Sequence, residues 1–216
     1  MSRVRVHNFS VSLDGFGTGE GLSLERPFGH AGERLHQWFF PTATFRAAHG
    51  GAGDVDPRTA ADDAFAAQWG QGIGVEIMGA GKYGPPGWQD DPDWRGWWGE
   101  EPPFRTPVIV LTHRPRPPLA VGETTFHFLD APPAEALAAA RELAGGQDVH
   151  IGGGPRMLRD FLAAGLVDHA HIAVVPILLG RGVRLWDGLE ALEARYDIAS
   201  ATTPSGTTHL TLERRA

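Results

Sequence analysis

The chain has 216 residues, 42% of them hydrophobic, a formal charge of −7 and a pI of about 5.8. One sizeable core fits that length, and an acidic balance whose longest basic run is Arg214-Arg215 lacks the footprint of a nucleic-acid binder. Cysteine is absent, which removes disulfides, thiolate metal sites and cysteine nucleophiles. No apolar run approaches the ~20 residues of a membrane span, and the alternating N-terminus is not a signal peptide, so a soluble cytoplasmic protein is expected.

Residues 3–13 alternate and read as a strand, which "DGFG" ends with turn chemistry. Residues 17–58 are rich in Gly, Pro and Ala and read as a loop-rich insertion holding one short helix over 31–39. "TAADDAFAAQWGQG" predicts a helix with Thr59 as N-cap, Asp62 and Asp63 in its first turn and Gly70 or Gly72 as its stop. "GVEIM" (74–78) is a strand. Residues 84–107, with many prolines and with Trp88, Trp94, Trp97 and Trp98, show no period. Such a run is either a binding lid or a surface insertion stapled by its tryptophans.

The remainder is more regular. "PVIVLT" (107–112), "TFHFL" (125–129), "DVHI" (148–151) and "HAHIAVVPILL" (169–179) read as buried strands. "APPAEALAAARELAGG" is a helix with Pro in its first turn and Gly145-Gly146 beyond its end, and "GPRMLRDFLAAGL" is a helix from Pro155 to the stop at Gly165. This β-α-β-α-β order implies parallel pairing. Runs at 193–200 and 207–213 close as an antiparallel hairpin at the sheet edge. The expected fold is α/β, a single domain over 1–216, with a mostly parallel central sheet and insertions near 17–58 and 84–107.

Three glycines in "VHIGGGPRMLRDFL" leave a buried strand and open onto a helix, whose unpaired first amides suit a phosphate or pyrophosphate. A tight strand–helix turn would ask for one glycine. Thr112, His113 and Arg114 follow another buried strand; they could grip a phosphate monoester or form a solvated loop. Gly79-x-Gly81-x-x-Gly84 has dinucleotide-fingerprint spacing, but Pro85 and Pro86 stand where the fingerprint needs a helix. Lys82 lies beside it. His169 and His171 share a strand face without a third ligand at sensible spacing, so no metal site is expected. Asp14, in "LDG", either faces the ligand edge of the sheet or makes an Asx turn.

Taken in order, "FSVSLDGF", "IMGAGKYG", "PPFRTPVIVLTHRPR", "TTFHFL", "DVHIGGGPRMLRDFLAAGLVDHAHIAVVPILLGRGVRLWDGL" and the final hairpin resemble the dihydrofolate reductase-like family that includes the reductase domain of riboflavin biosynthesis (RibD C-terminal type). The resemblance covers nearly the whole chain. It implies a central sheet of about eight strands with helices on both faces, homodimerisation, and NADPH as hydride donor to a C=N or C=O group of a small heterocyclic or carbonyl substrate. That is chemistry like that of a 5-amino-6-(5-phosphoribosylamino)uracil reductase. It places Gly153, Gly154, Pro155, Arg156 and Met157 on the pyrophosphate and nicotinamide side. Leu111, Thr112, His113 and Arg114 fall on the 2′-phosphate side, and Gly79, Ala80, Gly81 and Lys82 flank the phosphates. Phe9, Val11 and Asp14, with Ile151, line the nicotinamide and substrate cleft, with Asp14 as the polar group near the reacting centre. His36 and Trp97 shape the substrate pocket. The family commonly reads Gly-Arg where this chain has Gly79-Ala80, a loss worth about 1.5–3 kcal/mol in cofactor binding unless Lys82 replaces the charge. A non-catalytic ligand-binding relative and a deazaflavin-using reductase are the alternatives.

Overall fold

The computed structural model describes residues 2–51 and 56–215. In chain order its strands are β1 (Val4–Ser12), β2 (Phe16–Thr18), β3 (Ile73–Gly79), β4 (Val108–Leu111), β5 (Leu119–Val121), β6 (Thr124–Leu129), β7 (Asp148–Gly153), β8 (His169–Val175), β9 (Val183–Arg184), β10 (Tyr196–Thr202) and β11 (Thr208–Arg214). The α-helices are α1 (Ala43–Ala48), α2 (Ala60–Ala66), α3 (Ala80–Tyr83), α4 (Pro133–Leu143) and α5 (Pro155–Ala163). Nine strands form one sheet in the order β10-β11-β8-β1-β7-β3-β4-β6-β5, and β2 pairs with β9 apart from it. From β8 to β6 the neighbours run parallel, while β11 is antiparallel to β8, β10 to β11 and β5 to β6.

Strand alternation assigns the two faces. Val75 and Ile77 of β3, Val149 and Ile151 of β7, and Ala170 and Ile172 of β8 point to one side. There they pack with Leu137 and Ala140 of α4 and with Leu158, Phe161 and Leu162 of α5 in the main core. Each large side chain buried there contributes about 1.5–3 kcal/mol. Val4, Val6 and Val11 all join this core, although Val11 is out of phase with the other two in a straight strand. A bulge reconciles them: Asn8 has φ 57°, and the β1–β8 register shifts between Val6 and Phe9.

The opposite face is covered in two halves. Over β8 and β11 lie Trp38 and α2, with Phe65 stacked 4.1 Å from His209 and Trp38 edge-on at 5.0 Å. Over β3, β4 and β6 lie α3 and the segment after it, where Tyr83 and Trp88 are buried with Met78, Val108, Val110, Phe126 and Phe128. The tryptophan-rich run is therefore stapled to the sheet: Trp94 Nε1 donates to Tyr83 O, and Trp88 Nε1 to Ala80 O.

Some local expectations are corrected. The helix expected over 31–39 is a 3-10 segment, Gly29–His36, broken by Gly32 at φ 54°. Thr59 precedes α2 but caps nothing with its side chain, because its hydroxyl donates to Asp56 O; Asp56 caps the preceding 3-10 turn at Arg58 N. β8 stops at Val175, since Pro176 has no ladder N–H to give. Strands β2, β5 and β9 are too short to show a period.

Candidate active site at the carboxyl edge

The six parallel strands end on one edge of the sheet, where open α/β folds bind ligands. β7 ends in Gly152-Gly153-Gly154 and passes into α5, whose N-cap Gly154 offers no side-chain cap. Gly153–Gly154 is a cis peptide, and Gly153 has φ 101°. The first amides of α5 are thus left for an outside acceptor, with Pro155 at a position that needs no N–H. The ends of β3 and β1 close on this turn. A Cβ built on Gly79 would lie 3.6 Å from Met157 Cβ, and one on Gly153 2.9 Å from the Phe9 ring. Gly79, Gly153, Gly154, Pro155, Met157 and Phe9 are therefore brought together, and Arg156 is exposed beside them. Val11 and Ile151 are not available: both are fully buried in the main core, facing α5 rather than a cleft.

One strand over, Leu111 pairs with Gly79, and Thr112 is buried with its amide on Leu129 O. His113 and Arg114 are exposed, but each has an acid: His113 Nδ1 is 3.0 Å from Asp130, and Arg114 is 2.6 Å from Asp90. A 2′-phosphate at Arg114 would have to displace Asp90.

Asp14 has a different task from the one expected of it. Its carboxylate accepts from Ser12 Oγ (2.5 Å), Leu179 N (3.1 Å) and Gly180 N (2.7 Å), which ties the loop after β8 to the end of β1. Desolvation alone would raise its pKa, but these bonds outweigh it and hold the carboxyl at about 2. It stores no proton at neutral pH.

Lys82 also departs from expectation. Its ammonium lies 2.7 Å from Glu76 Oε1, and Glu76 Oε2 lies 3.0 Å from His150 Nδ1, with Glu76 and His150 both buried. Burial would raise the Glu76 carboxyl, yet the Lys82 charge and the His150 ring keep it below its ordinary value. The cation is committed to a buried carboxylate on the face of the sheet and does not replace the arginine absent at Ala80. Ala80 itself packs against the aromatic cluster. His36 is near this pair: burial, reinforced by the Lys82 charge, pushes its pKa down to about 4, and its Nδ1 is buried without a partner. Trp97 packs edge-on against Trp94 and belongs to the aromatic staple.

Sequence reasoning missed Glu76, His150 and His7. A signal was present, since Glu in "VEIM" and His in "VHI" interrupt apolar strands, where a buried charge needs a partner. Glu76 and His150 are ladder partners. His7 is buried at the β1 bulge with both ring nitrogens unpartnered, and burial, aided by the charges of His150, Arg5, His169 and His171, lowers its pKa to about 2. His171 Nε2 lies 2.8 Å from His209 Nδ1, and no group of three or more His, Cys, Asp or Glu placed to hold a metal occurs among the described residues.

A mostly parallel sheet, an antiparallel C-terminal pair and a glycine turn opening on a helix at the carboxyl edge define a dihydrofolate reductase-like α/β protein. Within that class the chain belongs to the RibD C-terminal domain family, whose model matches residues 5–210. A search of curated proteins returned no match. Among solved structures, the chain is similar to a proposed riboflavin biosynthesis protein from Shewanella sp. PV-4, with 20% identity, TM-score 0.59 and full coverage of both chains. It is also similar to a deaminase/5-amino-6-(5-phosphoribosylamino)uracil reductase from Thermotoga maritima, with 12% identity and TM-score 0.52, over 99% of this chain and 57% of that one. Enterococcus faecalis dihydrofolate reductase complexed with NADP(H) and RAB-propyl shares 13% identity and TM-score 0.50, over 100% of this chain and 97% of that one. These likenesses establish the fold.

Proposed function

We propose that the chain, acting as one domain, is an NADPH-dependent reductase of a small planar heterocycle with a reducible C=N or C=O group. The observation that carries this reading is the β7 glycine turn, where uncapped α5 amides meet the open end of β3 in a member of the RibD C-terminal domain family. Gly154, Arg156 and Met157 would hold a pyrophosphate through backbone amides and the Arg156 side chain. Arg114 would meet the 2′-phosphate. The cofactor, when bound, supplies a hydride. The residues here do the orienting: Phe9 and Gly153 shape one side of the edge, and the aromatic staple holds the other.

NADPH is expected to raise the melting temperature more than NADH does, and Arg114→Ala is expected to narrow that difference. Equal, null shifts with both nucleotides at millimolar concentration would remove the cofactor assignment. One observation favours the second reading, a ligand-binding relative with weak cofactor affinity. Of the four positions expected to carry a cation at the phosphates, position 80 is an alanine, Lys82 pairs with Glu76 and Arg114 with Asp90, which leaves Arg156. Nucleotide binding without turnover of any pterin, pyrimidine or carbonyl compound would select it. A cytoplasmic homodimer is the assembly we attach to the reductase reading on family grounds; sedimentation velocity tests the dimer. No described helix is long and apolar enough to cross a membrane.

A further inference from the structure

Lys82 is the only lysine in a chain with 19 lysines and arginines. Its side chain is 28% exposed, whereas its partner Glu76 is 3% exposed. An ammonium has three donors, and Glu76 Oε1 takes one. The acid is fixed from behind by His150, whose Nε2 in turn accepts from His7 N. Gly152 lies against the pair: a Cβ there would stand 2.1 Å from Glu76 Oε1 and 2.6 Å from Lys82 Nζ. Any side chain at that position would occupy the ground that Lys82 needs. The wall beside the ammonium is aromatic: the Phe104 ring centroid is 5.6 Å away. His36 presents a buried ring nitrogen with no partner. A fixed cation with spare donors beside a flat apolar ring is complementary to a planar ring bearing an oxo group.

We propose that Lys82 is the specificity residue that binds the ring oxygen of a planar oxo-heterocycle, with Glu76 and His150 positioning it; this rests on the reductase reading for the identity of the cleft. Paired with a glutamate, the lysine acts as a charge-assisted hydrogen-bond donor and not as a nucleophile.

Lumazine, a fluorescent pteridine dione, is the probe. In protein labelled with ¹⁵N-lysine, Lys82 gives the single ε-ammonium resonance, and lumazine is expected to shift it. Lys82→Met combined with Glu76→Gln, which leaves no bare buried charge, is expected to weaken lumazine binding about 10- to 150-fold, the value of one charge-assisted hydrogen bond. Stabilisation by NADPH is expected to persist in that variant. An unmoved ammonium resonance at saturating lumazine, undiminished lumazine binding by the double variant, or no binding by the wild type overturns the proposal. The ammonium resonance is read on the wild type, so the test survives a variant that fails to fold. Failure of NADPH to stabilise the wild type would remove the reductase reading and leave the Lys82 contact to be judged by its own resonance.

Discussion

Acidification from pH 7.5 to pH 5 should destabilise this protein before any carboxylate titrates. His7 and His171 are 5% and 1% exposed, and burial is the main cause that lowers their pKa values to about 2 and about 3. The charges facing them act in the same direction: His150, Arg5, His169 and His171 on His7, and His209 and His169 on His171. Both are neutral in the fold and titrate near 6.5 in the unfolded chain. Between those values the unfolded state binds more protons, so stability rises with pH and falls as pH drops below about 6.5. For a group whose folded pKa lies well below 5, the loss at pH 5 is RT ln(1 + 10^1.5), about 2 kcal/mol, whatever the folded value. With His36, whose pKa burial lowers to about 4, three such groups give about 6 kcal/mol, or a fall in melting temperature of about 12–24 °C for a chain of this size. Urea unfolding from pH 7.5 to 5 is the assay. His7→Phe should flatten the slope by about a third, because one of the three protons taken up on unfolding disappears. A flat profile over this window, or an unchanged slope in His7→Phe, would refute the argument.

Other substitutions probe the remaining polar contacts. Gly152→Ala should cost several kcal/mol, because its Cβ would stand 2.1 Å from Glu76 Oε1, whereas Gly81→Ala, with nothing within 4 Å, should be neutral or slightly stabilising by thermal melt. His209→Ala should cost about 1–3 kcal/mol in urea unfolding, since it removes the ring donor at 2.8 Å from fully buried Asp62 while the Thr203 and Ser205 hydroxyls remain. Asp14→Asn should cost about 1–3 kcal/mol, because one amide loses its acceptor, while the NADPH-induced shift in melting temperature stays unchanged. A lost NADPH shift in that variant would return Asp14 to the cofactor edge.

Strands β3, β4, β6, β7 and β8 were legible because buried strands are written as largely apolar runs between glycine and proline stops. Features that depend on partners far along the chain were not. The β1 bulge follows from the demand that Val4, Val6 and Val11 share one face, which only the packed core makes visible. The bond between His150 and Glu76 joins residues 74 positions apart, so its existence depends on β3 and β7 being neighbours in register. Asp14 and Lys82 were rightly seen as polar groups near the strand ends. Their partners were not legible because a side chain's partner is fixed by direction: Asp14 turns toward the amides of Leu179 and Gly180, and Lys82 toward Glu76.

The glycines at 79, 81 and 84 show why spacing alone misleads. Gly79 faces the α5 start, with Met157 Cβ 3.6 Å from a built Cβ, so it belongs to the candidate site. Gly81 faces open space, and a Cβ there would touch nothing. Gly84 is steric: a Cβ would meet Trp94 Nε1 at 2.5 Å and Trp88 Cγ at 2.7 Å, under the aromatic staple. A fingerprint needs its glycines to serve one ligand together, and these three serve a helix start, nothing, and an indole pair. The residue between them that bears on specificity is Lys82. A lone lysine bound to a carboxylate among arginines is a compact ammonium that leaves donors to spare, whereas a planar guanidinium would lie flat on both carboxylate oxygens and displace His150 from Oε2.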